Sequence, residues 1–197
     1  MNMIIIALRN LICIIGLISV LPFLFFASLL IFIEDGCPIF FLQRRIGLAE
    51  KIFTIFKIRT MKKDTPEVGT HDVKEIFQLK SGRVIRAIKL DEFPQLINVI
   101  RGDLNLVGPR PGLDTQQELK NARIEKNIFT IKPGITGLAQ ILGYNMSQPK
   151  KLADIDKIYI HERSAKLNII ILLGTFFNYP RNYLSLKYKI DLNKDNC

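Results

Sequence analysis

The sequence predicts an α+β protein that is mostly helical, with a membrane segment at its N-terminus. Three observations predict this class. An apolar run covers residues 4–33, with Arg9 as its one charged residue. The rest of the chain is basic and carries 27 of the 28 Lys and Arg against all 18 Asp and Glu. Helical spacing of apolar residues recurs along this basic part, next to one segment of strand character.

The apolar run is long enough to cross a bilayer, which takes roughly 20 residues, and no small-residue cleavage site follows it. Pro22 lies mid-run, with Gly16 and Ser19 just before it. Proline removes a backbone donor, so we expect the helix to bend there, and Ser19 can bond a freed carbonyl. The segment therefore either spans with a kink or enters and leaves by one face. A buried helix of a soluble core is the third alternative.

Basic residues follow the apolar run closely, and by the positive-inside rule they predict a cytoplasmic body. These residues are Arg44, Arg45, Lys51, Lys57 and Arg59. A basic body behind an apolar segment suggests anionic partners, namely lipid head groups, nucleotides or nucleic acid. A basic surface kept for solubility is the alternative.

Residues typical of disulfide frameworks and zinc sites are scarce. Three Cys form no Cys-x-x-Cys pair, two His are present, and Trp is absent. This composition disfavours a disulfide scaffold, a thiolate zinc site and a His-rich metal site, and it fits a reducing compartment. Without Trp, the chain also lacks the usual platform for stacking single-stranded nucleic acid.

Periodicity and turn residues predict the elements of the body. Aromatic and β-branched residues at 53–61 predict a strand. Helical spacing or polar helix composition predicts helices at residues 95–100, 113–126 and 167–173. The last of these leads into aromatic and basic residues that suit a membrane interface, with ordinary core packing as the alternative. Proline and glycine predict loops at residues 62–74, 108–112 (GPRPG) and 133–137 (PGITG).

Asp91 and Glu92 are the first candidates for chemistry. Adjacent carboxylates ahead of Pro94 and a helical pattern can be only an N-cap and a first-turn acid. The cations nearby favour a functional role, because Arg86 precedes the pair and Arg110 follows it in a loop stiffened by two prolines. One carboxylate can then attack phosphorus while its neighbour holds a divalent cation.

Two loops are candidates for binding. The planar fork of Arg110 can grip a phosphate through two hydrogen bonds, although it could also be a surface arginine in a turn. In residues 132–140 (KPGITGLAQ), Gly134 and Gly137 permit close backbone approach to a ligand, and Gln140 can read a base or a sugar amide. A glycine-rich turn alone is weak support for a site, so a purely structural role stays open.

Six segments together resemble the monotopic phosphoglycosyl transferase family, also called bacterial sugar transferases. The resemblance covers almost the whole chain. The segments are residues 35–41 (DGCPIFF) with Gln43, Arg45 and Gly47, residues 56–61 (FKIRTM), residues 90–99 (LDEFPQLINV), residues 102–103 (GD) with 106–111 (LVGPRP), residues 133–140 (PGITGLAQ), and the pair Asp156 and Tyr159.

The resemblance implies a reaction. In such enzymes the aspartate of the Asp-Glu pair attacks the sugar-linked phosphate of a nucleoside diphosphate sugar, and the nucleoside monophosphate leaves. Polyprenyl phosphate then attacks the covalent aspartyl phosphosugar. The resemblance makes Asp91 the nucleophile and implies that Glu92, with Asp91, holds Mg²⁺. It assigns substrate and phosphate binding to Arg86, Arg110, Lys57, Arg59, Gly134, Thr136 and Gln140.

The resemblance also implies a topology. The family has a re-entrant helix broken at a Ser-Pro pair, so residues 1–35 are expected to form a re-entrant helix-break-helix with Ser19 and Pro22 at the hinge. Residues 36–197 are expected to form a small cytoplasmic catalytic domain with interfacial helices. The expected location is the cytoplasmic face of a bacterial inner membrane, as a monotopic protein.

The sequence departs from the family pattern in places. Leu21 precedes Pro22 where the family has serine, so the hydroxyl partner of the hinge changes. Residues 143–145 (GYN) stand where many members read Gly-Arg-Asn, and this arginine contacts the donor. The donor contact of that arginine is therefore lost or comes from elsewhere in the chain, and Tyr144 either replaces it by stacking on the uracil or has no role in binding. Asn105 and Asn168 stand where Ser and Asp are frequent.

The expected donor is a UDP-N-acetylhexosamine or a modified form, and the expected acceptor is undecaprenyl phosphate, with UMP released. Glucose or galactose phosphate transfer is the alternative within the family. Outside it, an inactive membrane scaffold for glycosyltransferases is possible, but intact Asp91, Glu92 and Arg110 argue against it. We expect membrane lipid and downstream glycosyltransferases as partners. We do not expect nucleic acid, because a nucleic-acid-binding protein would not need a membrane segment.

Overall fold

The computed structural model describes residues 3–63, 65 and 77–188. The chain divides into two units. The first comprises Met1–Arg44 and Thr54–Gly102, and the second comprises Arg45–Phe53 and Asp103–Cys197. The predicted boundary after residue 35 separates a membrane segment from a cytoplasmic domain, and this division stays a prediction. The predicted loop at residues 62–74 lies largely outside the described residues.

The first unit begins with helix α1, Met3–Asp35, which contains the whole apolar run. Only 11% of its most apolar 18-residue stretch is buried. Within the described residues, α1 is the one helix that is long and apolar enough to cross a membrane. The helix continues through Pro22, so two helices around a break are not confirmed. The Ser19 hydroxyl donates to the Gly16 carbonyl at 2.9 Å, whereas the carbonyl that Pro22 leaves without an N–H is that of Ile18, four residues before the proline.

Two short helices pack on α1. Helix α2 covers Lys80–Ala87 and helix α3 covers Gln95–Arg101, as the spacing at residues 95–100 predicts. The core of this unit consists of Ala27, Ile31, Ile58, Leu79, Ile85 and Leu90. Leu96 of α3 lies against Gly16, where a Cβ would be 3.5 Å from Leu96 Cδ1.

The N-terminus of α2 is capped from α1. Leu79 precedes α2 and gives it no side-chain cap. Instead, the Glu34 carboxylate accepts the backbone N–H groups of Lys80 and Ser81 at 2.7 and 3.0 Å. Orphan N–H groups at a helix start are stabilised by a carboxylate. Glu34 therefore joins the end of the apolar helix to the segment that leads to Asp91.

A hairpin carries the predicted strand. Strand β1, Phe40–Ile46, and strand β2, Ile52–Ile58, form a two-stranded sheet. Strand β2 begins one residue before the predicted strand at residues 53–61 and ends within it, at Ile58. Its aromatic and β-branched residues explain the prediction, because they fit a half-buried pleated surface.

The second unit contains a small parallel sheet. Strand β3, Asn105–Val107, pairs with strand β4, Gly134–Thr136, and Val107 lies opposite Thr136. The prediction of a free loop at residues 133–137 is therefore wrong over β4. A Cβ on Gly134 would lie 2.1 Å from the Gly108 nitrogen, so glycine is required where the two backbones meet.

Helices complete the second unit. They are α4, Gln117–Glu125, α5, Leu138–Ile141, α6, Pro149–Glu162, α7, Ala165–Phe176, and α8, Asn178–Lys187. Helix α4 starts later than the predicted residue 113. The buried core includes Leu138, Leu152, Ile171 and Leu184, whereas Phe176, Phe177 and Tyr179 are exposed. The predicted class, α+β and mostly helical with an apolar N-terminal helix, is confirmed.

Candidate active site

The two adjacent carboxylates lie in a tight turn of the first unit. Asp91 and Glu92 belong to a single 3₁₀ turn, Leu90–Glu92, between α2 and α3. Lys89 enters this turn with a left-handed backbone, φ 58°, a conformation that costs a non-glycine residue free energy. Helix α3 begins at Gln95 with Pro94 as its N-cap and no side-chain cap. The carboxylates therefore do not serve as the cap of α3.

Asp91 is a buried acid, with 8% of its surface exposed. Burial is the main cause that raises its pKa, because the ionised form loses solvation. The positive charge of Lys57 opposes this effect, the negative charge of Glu92 adds to it, and Arg86 opposes it. A buried carboxylate with a perturbed pKa and specific charged neighbours is typical of a functional site.

Glu92 is paired with the strand beside it. Lys57 Nζ on β2 lies 3.1 Å from Glu92 Oε1, and the two side chains are 15% and 22% exposed. Asn98, fully buried on α3, fixes the same strand: its amide oxygen accepts the Phe56 N–H at 3.1 Å and its amide nitrogen donates to the Thr54 carbonyl at 2.7 Å. Helix α3 thus holds β2, which brings Lys57 to the carboxylates.

Arg86 and Arg59 are both engaged within the first unit. Arg86 Nε donates to the Thr60 hydroxyl at 2.6 Å. Arg59 is 5% exposed; its guanidinium forms an ion pair with Asp35 and donates to the Gly36 carbonyl at 2.5 Å. Arg86 is electrostatically coupled to Asp91, whereas Arg59, the residue after β2, contacts Asp35 at the end of α1. The predicted phosphate contacts of both residues stay predictions.

The donor set at the turn suits magnesium. Within residues 3–63, 65 and 77–188, no group of three or more His, Cys, Asp or Glu comes together. Mg²⁺ does not need one, since it is commonly bound by one or two carboxylates plus substrate phosphates and water. Asp91 and Glu92 provide the two carboxylates, so the residues fit the ion, and Mg²⁺ stays a prediction.

The other predicted binding residues lie in the second unit. Gly134 and Thr136 are on β4, and the Thr136 hydroxyl lies 2.8 Å from that of Thr175. Gln140 on α5 donates weakly to the Ile135 carbonyl at 3.4 Å, and its buried Oε1 has no hydrogen-bond partner within the described part of the chain. Arg110 lies in residues 108–112, where both prolines are buried and Arg110 is partly exposed.

A buried pair in the second unit is absent from the predicted site. Arg123 of α4 and Asp156 of α6 form an ion pair at 2.6 Å, and each side chain is 3% exposed. Tyr159, the other member of the Asp156 motif, donates to the Asn168 side chain at 2.9 Å and lies 3.2 Å from the Val107 carbonyl. The motif with Asp156 was the only signal for this pair, because Arg123 lies in a segment of surface-like composition.

Comparison with known proteins shows the family of the chain. The sequence profile of the bacterial sugar transferase family matches residues 2–182. The chain therefore belongs to the bacterial sugar transferase family. The predicted family and the predicted enzyme class, a phosphoglycosyl transferase, are confirmed.

Three relatives illustrate what the chain is similar to. The chain is 41% identical over 143 residues to the uncharacterized sugar transferase EpsL of Bacillus subtilis, covering 73% of this chain and 70% of that protein. It is 38% identical over 165 residues to a UDP-glucose:undecaprenyl-phosphate glucose-1-phosphate transferase of Caulobacter vibrioides, covering 78% and 61%. It is 31% identical over 161 residues to a UDP-N-acetylgalactosamine-undecaprenyl-phosphate N-acetylgalactosaminephosphotransferase of Aeromonas hydrophila, covering 78% and 38%. The chain thus spans less than two thirds of the last two relatives.

Proposed function

We propose that this chain transfers a sugar 1-phosphate from a UDP-sugar to undecaprenyl phosphate and releases UMP. The observation that carries the proposal is Asp91, a buried carboxylate in a constrained turn, electrostatically coupled to Lys57 and Arg86. Two relatives are named for transfer of a sugar phosphate to undecaprenyl phosphate, and this supports the choice of donor and acceptor class.

The reaction proceeds through a covalent intermediate on Asp91. A carboxylate oxygen of Asp91 attacks the phosphorus bonded to the sugar, the bond from that phosphorus to the bridging oxygen breaks, and UMP leaves with the electron pair. A phosphate oxygen of undecaprenyl phosphate then attacks the same phosphorus. The bond to Asp91 breaks, the carboxylate is restored, and a polyprenyl diphosphosugar is formed.

Charge around Asp91 prepares it for this attack. Burial favours the protonated acid, which is not a nucleophile, whereas Lys57 and Arg86 favour the ionised form. Partial burial also removes water from the carboxylate, which strengthens the cations' influence. Mg²⁺ held by Asp91 and Glu92 would neutralise phosphate charge when bound. Arg110, Gly134, Thr136 and Gln140 complete the proposed set of donor-binding residues.

The proposed membrane arrangement concerns α1. We propose that α1 enters from the cytoplasmic face and returns to it, with Ser19 and Pro22 at the hinge, so that the protein is monotopic in a bacterial inner membrane. The apolar surface of α1 and the basic residues after it support membrane residence and a cytoplasmic body. Tags at both termini should be accessible only from the cytoplasm, and a periplasmic N-terminus would mean that α1 spans.

The donor is either an N-acetylhexosamine or a hexose. Our leading proposal is a UDP-N-acetylhexosamine or a modified form. A hexose donor has its own support, because the glucose-1-phosphate transferase of Caulobacter vibrioides is 38% identical to this chain, against 31% for the N-acetylgalactosaminephosphotransferase of Aeromonas hydrophila. Downstream glycosyltransferases would take the lipid-linked product.

The test is UMP release from a panel of UDP-sugars by the detergent-solubilised chain, with undecaprenyl phosphate and Mg²⁺. Asp91→Asn is the inactive variant, and Asp154→Asn is the matched control, because Asp154 is 58% exposed. Release with one donor that requires Asp91 and is lost with EDTA supports the reaction and names the sugar. Equal release by Asp91→Asn rejects the mechanism, and no release with any donor, including crude nucleotide-sugar extract from the source cell, favours a scaffold.

A further inference from the structure

The loop that carries Arg110 is held by its carbonyl groups. We refer to residues 108–112 as the anchored loop. Its two prolines have no N–H, so the loop cannot build a ladder of its own and its carbonyls must find donors elsewhere. Four successive carbonyls do so: Pro109 accepts from the Gly134 N–H at 3.0 Å, Arg110 from Arg123 Nη1 at 2.8 Å, Pro111 from Arg45 Nη1 at 3.0 Å, and Gly112 from the Ile46 N–H at 3.0 Å.

Two of these donors are buried guanidinium groups. Arg45 is 5% exposed and Arg123 is 2% exposed. Burying a cation is costly unless it is paired, and Arg123 is paired through two hydrogen bonds to Asp156 Oδ2, at 2.6 and 3.1 Å. Arg45 Nη1 donates to the Pro111 carbonyl and lies 3.9 Å from the sulfur of Met146.

Stability alone is a poor reason for such an arrangement. A buried ion pair is often no better for stability than apolar residues of similar volume. An apolar side chain, however, cannot donate to a carbonyl. Arg45 and Arg123 therefore fix the backbone at Arg110 and at Pro111, which apolar side chains could not do.

We propose that Arg123, oriented by Asp156, and Arg45 are positioning residues that hold the anchored loop so that Arg110 meets the donor diphosphate in one geometry. This inference rests on the proposed function of Arg110 in phosphate binding. Neither arginine needs to touch the substrate. They order the loop before the donor binds. Binding therefore does not carry the entropic cost of fixing a flexible loop.

A double-mutant cycle tests this relation for Arg45. Arg45→Gln, Arg110→Ala and the combined variant are compared by donor kcat/KM in the UMP-release assay. Arg45→Gln is expected to lower kcat/KM by about 10- to 100-fold, because a small misplacement of a binding group is expensive. In the Arg110→Ala background the same change should cost less than about twofold. Equal losses in both backgrounds would overturn the proposal, since a general structural role is independent of Arg110.

The ion pair provides a second arm. Arg123→Gln combined with Asp156→Asn removes both charges together, so no buried charge is left alone. Lys126→Gln is the matched control, because the Lys126–Asp154 pair also joins the C-terminal end of α4 to α6, but its side chains are 26% and 58% exposed. The pair variant should lower kcat/KM and speed amide hydrogen exchange at residues 110 and 112–113, whereas the control should change neither. Equal effects of both variants would contradict positioning.

A binding measurement separates failure of this inference from failure of the proposed function. The Arg45 and Arg110 cycle is repeated on the Kd of UDP by calorimetry, which requires no turnover. Coupled losses of UDP affinity support positioning even if no UMP release is found. If Arg110→Ala leaves both UDP affinity and kcat/KM unchanged, positioning is rejected, while Asp91-dependent UMP release still upholds the reaction.

Discussion

Asp91 and Arg110 lie in different units, and different charged groups are buried in their immediate surroundings. Around Asp91, three charged neighbours are partly exposed, and the carboxylate itself is the buried group whose pKa is raised. Around Arg110, the arginine is partly exposed, and the buried charges are those of Arg45, Arg123 and Asp156 behind it. The reactive group is buried in one region, and the support is buried in the other.

The difference separates reactivity from rigidity. A nucleophile needs a pKa and a level of solvation suited to attack, which burial and neighbouring charges provide. A phosphate-binding arginine is charged at any physiological pH, so it needs only a fixed position. The same substitution, aspartate to asparagine, should therefore have opposite effects in the two regions.

Asp91→Asn should give the largest loss of activity, about 10³-fold or more, because no carboxylate remains to attack phosphorus. Its thermal stability should equal or exceed that of the wild type at neutral pH. The fold raises the pKa of Asp91, so it disfavours the ionised carboxylate at any pH above that raised pKa, and asparagine removes this penalty. Turnover and thermal unfolding of the same preparation check both parts. Activity near the wild-type level would break the comparison.

Asp156→Asn should give the largest loss of stability, lowering the free energy of unfolding by about 3 kcal/mol, because Arg123 would remain buried without its counter-charge. Burial raises the pKa of Asp156 as it does that of Asp91, but Asp156 is the direct partner of a buried cation, so the loss of this ion pair decides the sign. Denaturant unfolding in detergent measures it. Asp154→Asn on the same helix is the reference. If the two substitutions cost equally little, the second unit does not depend on its buried pair.

Lys57→Gln and Glu92→Gln should move the pH dependence of turnover in opposite directions. Lys57 lowers the pKa of Asp91 and Glu92 raises it. Removing the lysine charge therefore raises that pKa, so activity is lost at a higher pH on acidification. Removing the Glu92 charge lowers it, so the remaining activity persists to a lower pH. Rate profiles of kcat/KM against pH decide this, and shifts in the same direction would show that neither charge acts through Asp91.

Lys126→Gln should have the smallest effect, within about 0.5 kcal/mol of wild-type stability, because an exposed ion pair contributes little. The measurement is the one used for Asp156→Asn. A loss close to that of Asp156→Asn would mean that contact between α4 and α6, rather than buried charge, distinguishes the second region.

The features that the sequence predicts well are those written in local patterns. The apolar run predicts α1, helical spacing predicts α3, and the aromatic and β-branched segment predicts β2. The position of Asp91 and Glu92 ahead of α3 is also local. The surroundings of these two carboxylates depend partly on residues distant in sequence. Lys57 lies on β2, which the side chain of Asn98 holds beside α3.

The features that the sequence does not reveal depend on distant partners. Strands β3 and β4 have three residues each, which is too short to show a period. Arg123 and Asp156 are separated by 33 positions, and each lies in a segment of polar composition, so neither looks buried. Glu34 follows an apolar run as an ordinary surface acid would, yet it caps α2. The roles of these residues follow from packing, which is a property of the fold.

Covalent capture on Asp91 tests the central claim most directly. The purified chain is incubated with its UDP-sugar and Mg²⁺ without undecaprenyl phosphate, and its intact mass is measured before and after the acceptor is added. We expect a mass increase of one phosphosugar that maps to Asp91, is absent in Asp91→Asn, and disappears with the acceptor. Turnover by the wild type with no such adduct, together with turnover by Asp91→Asn, would contradict the account.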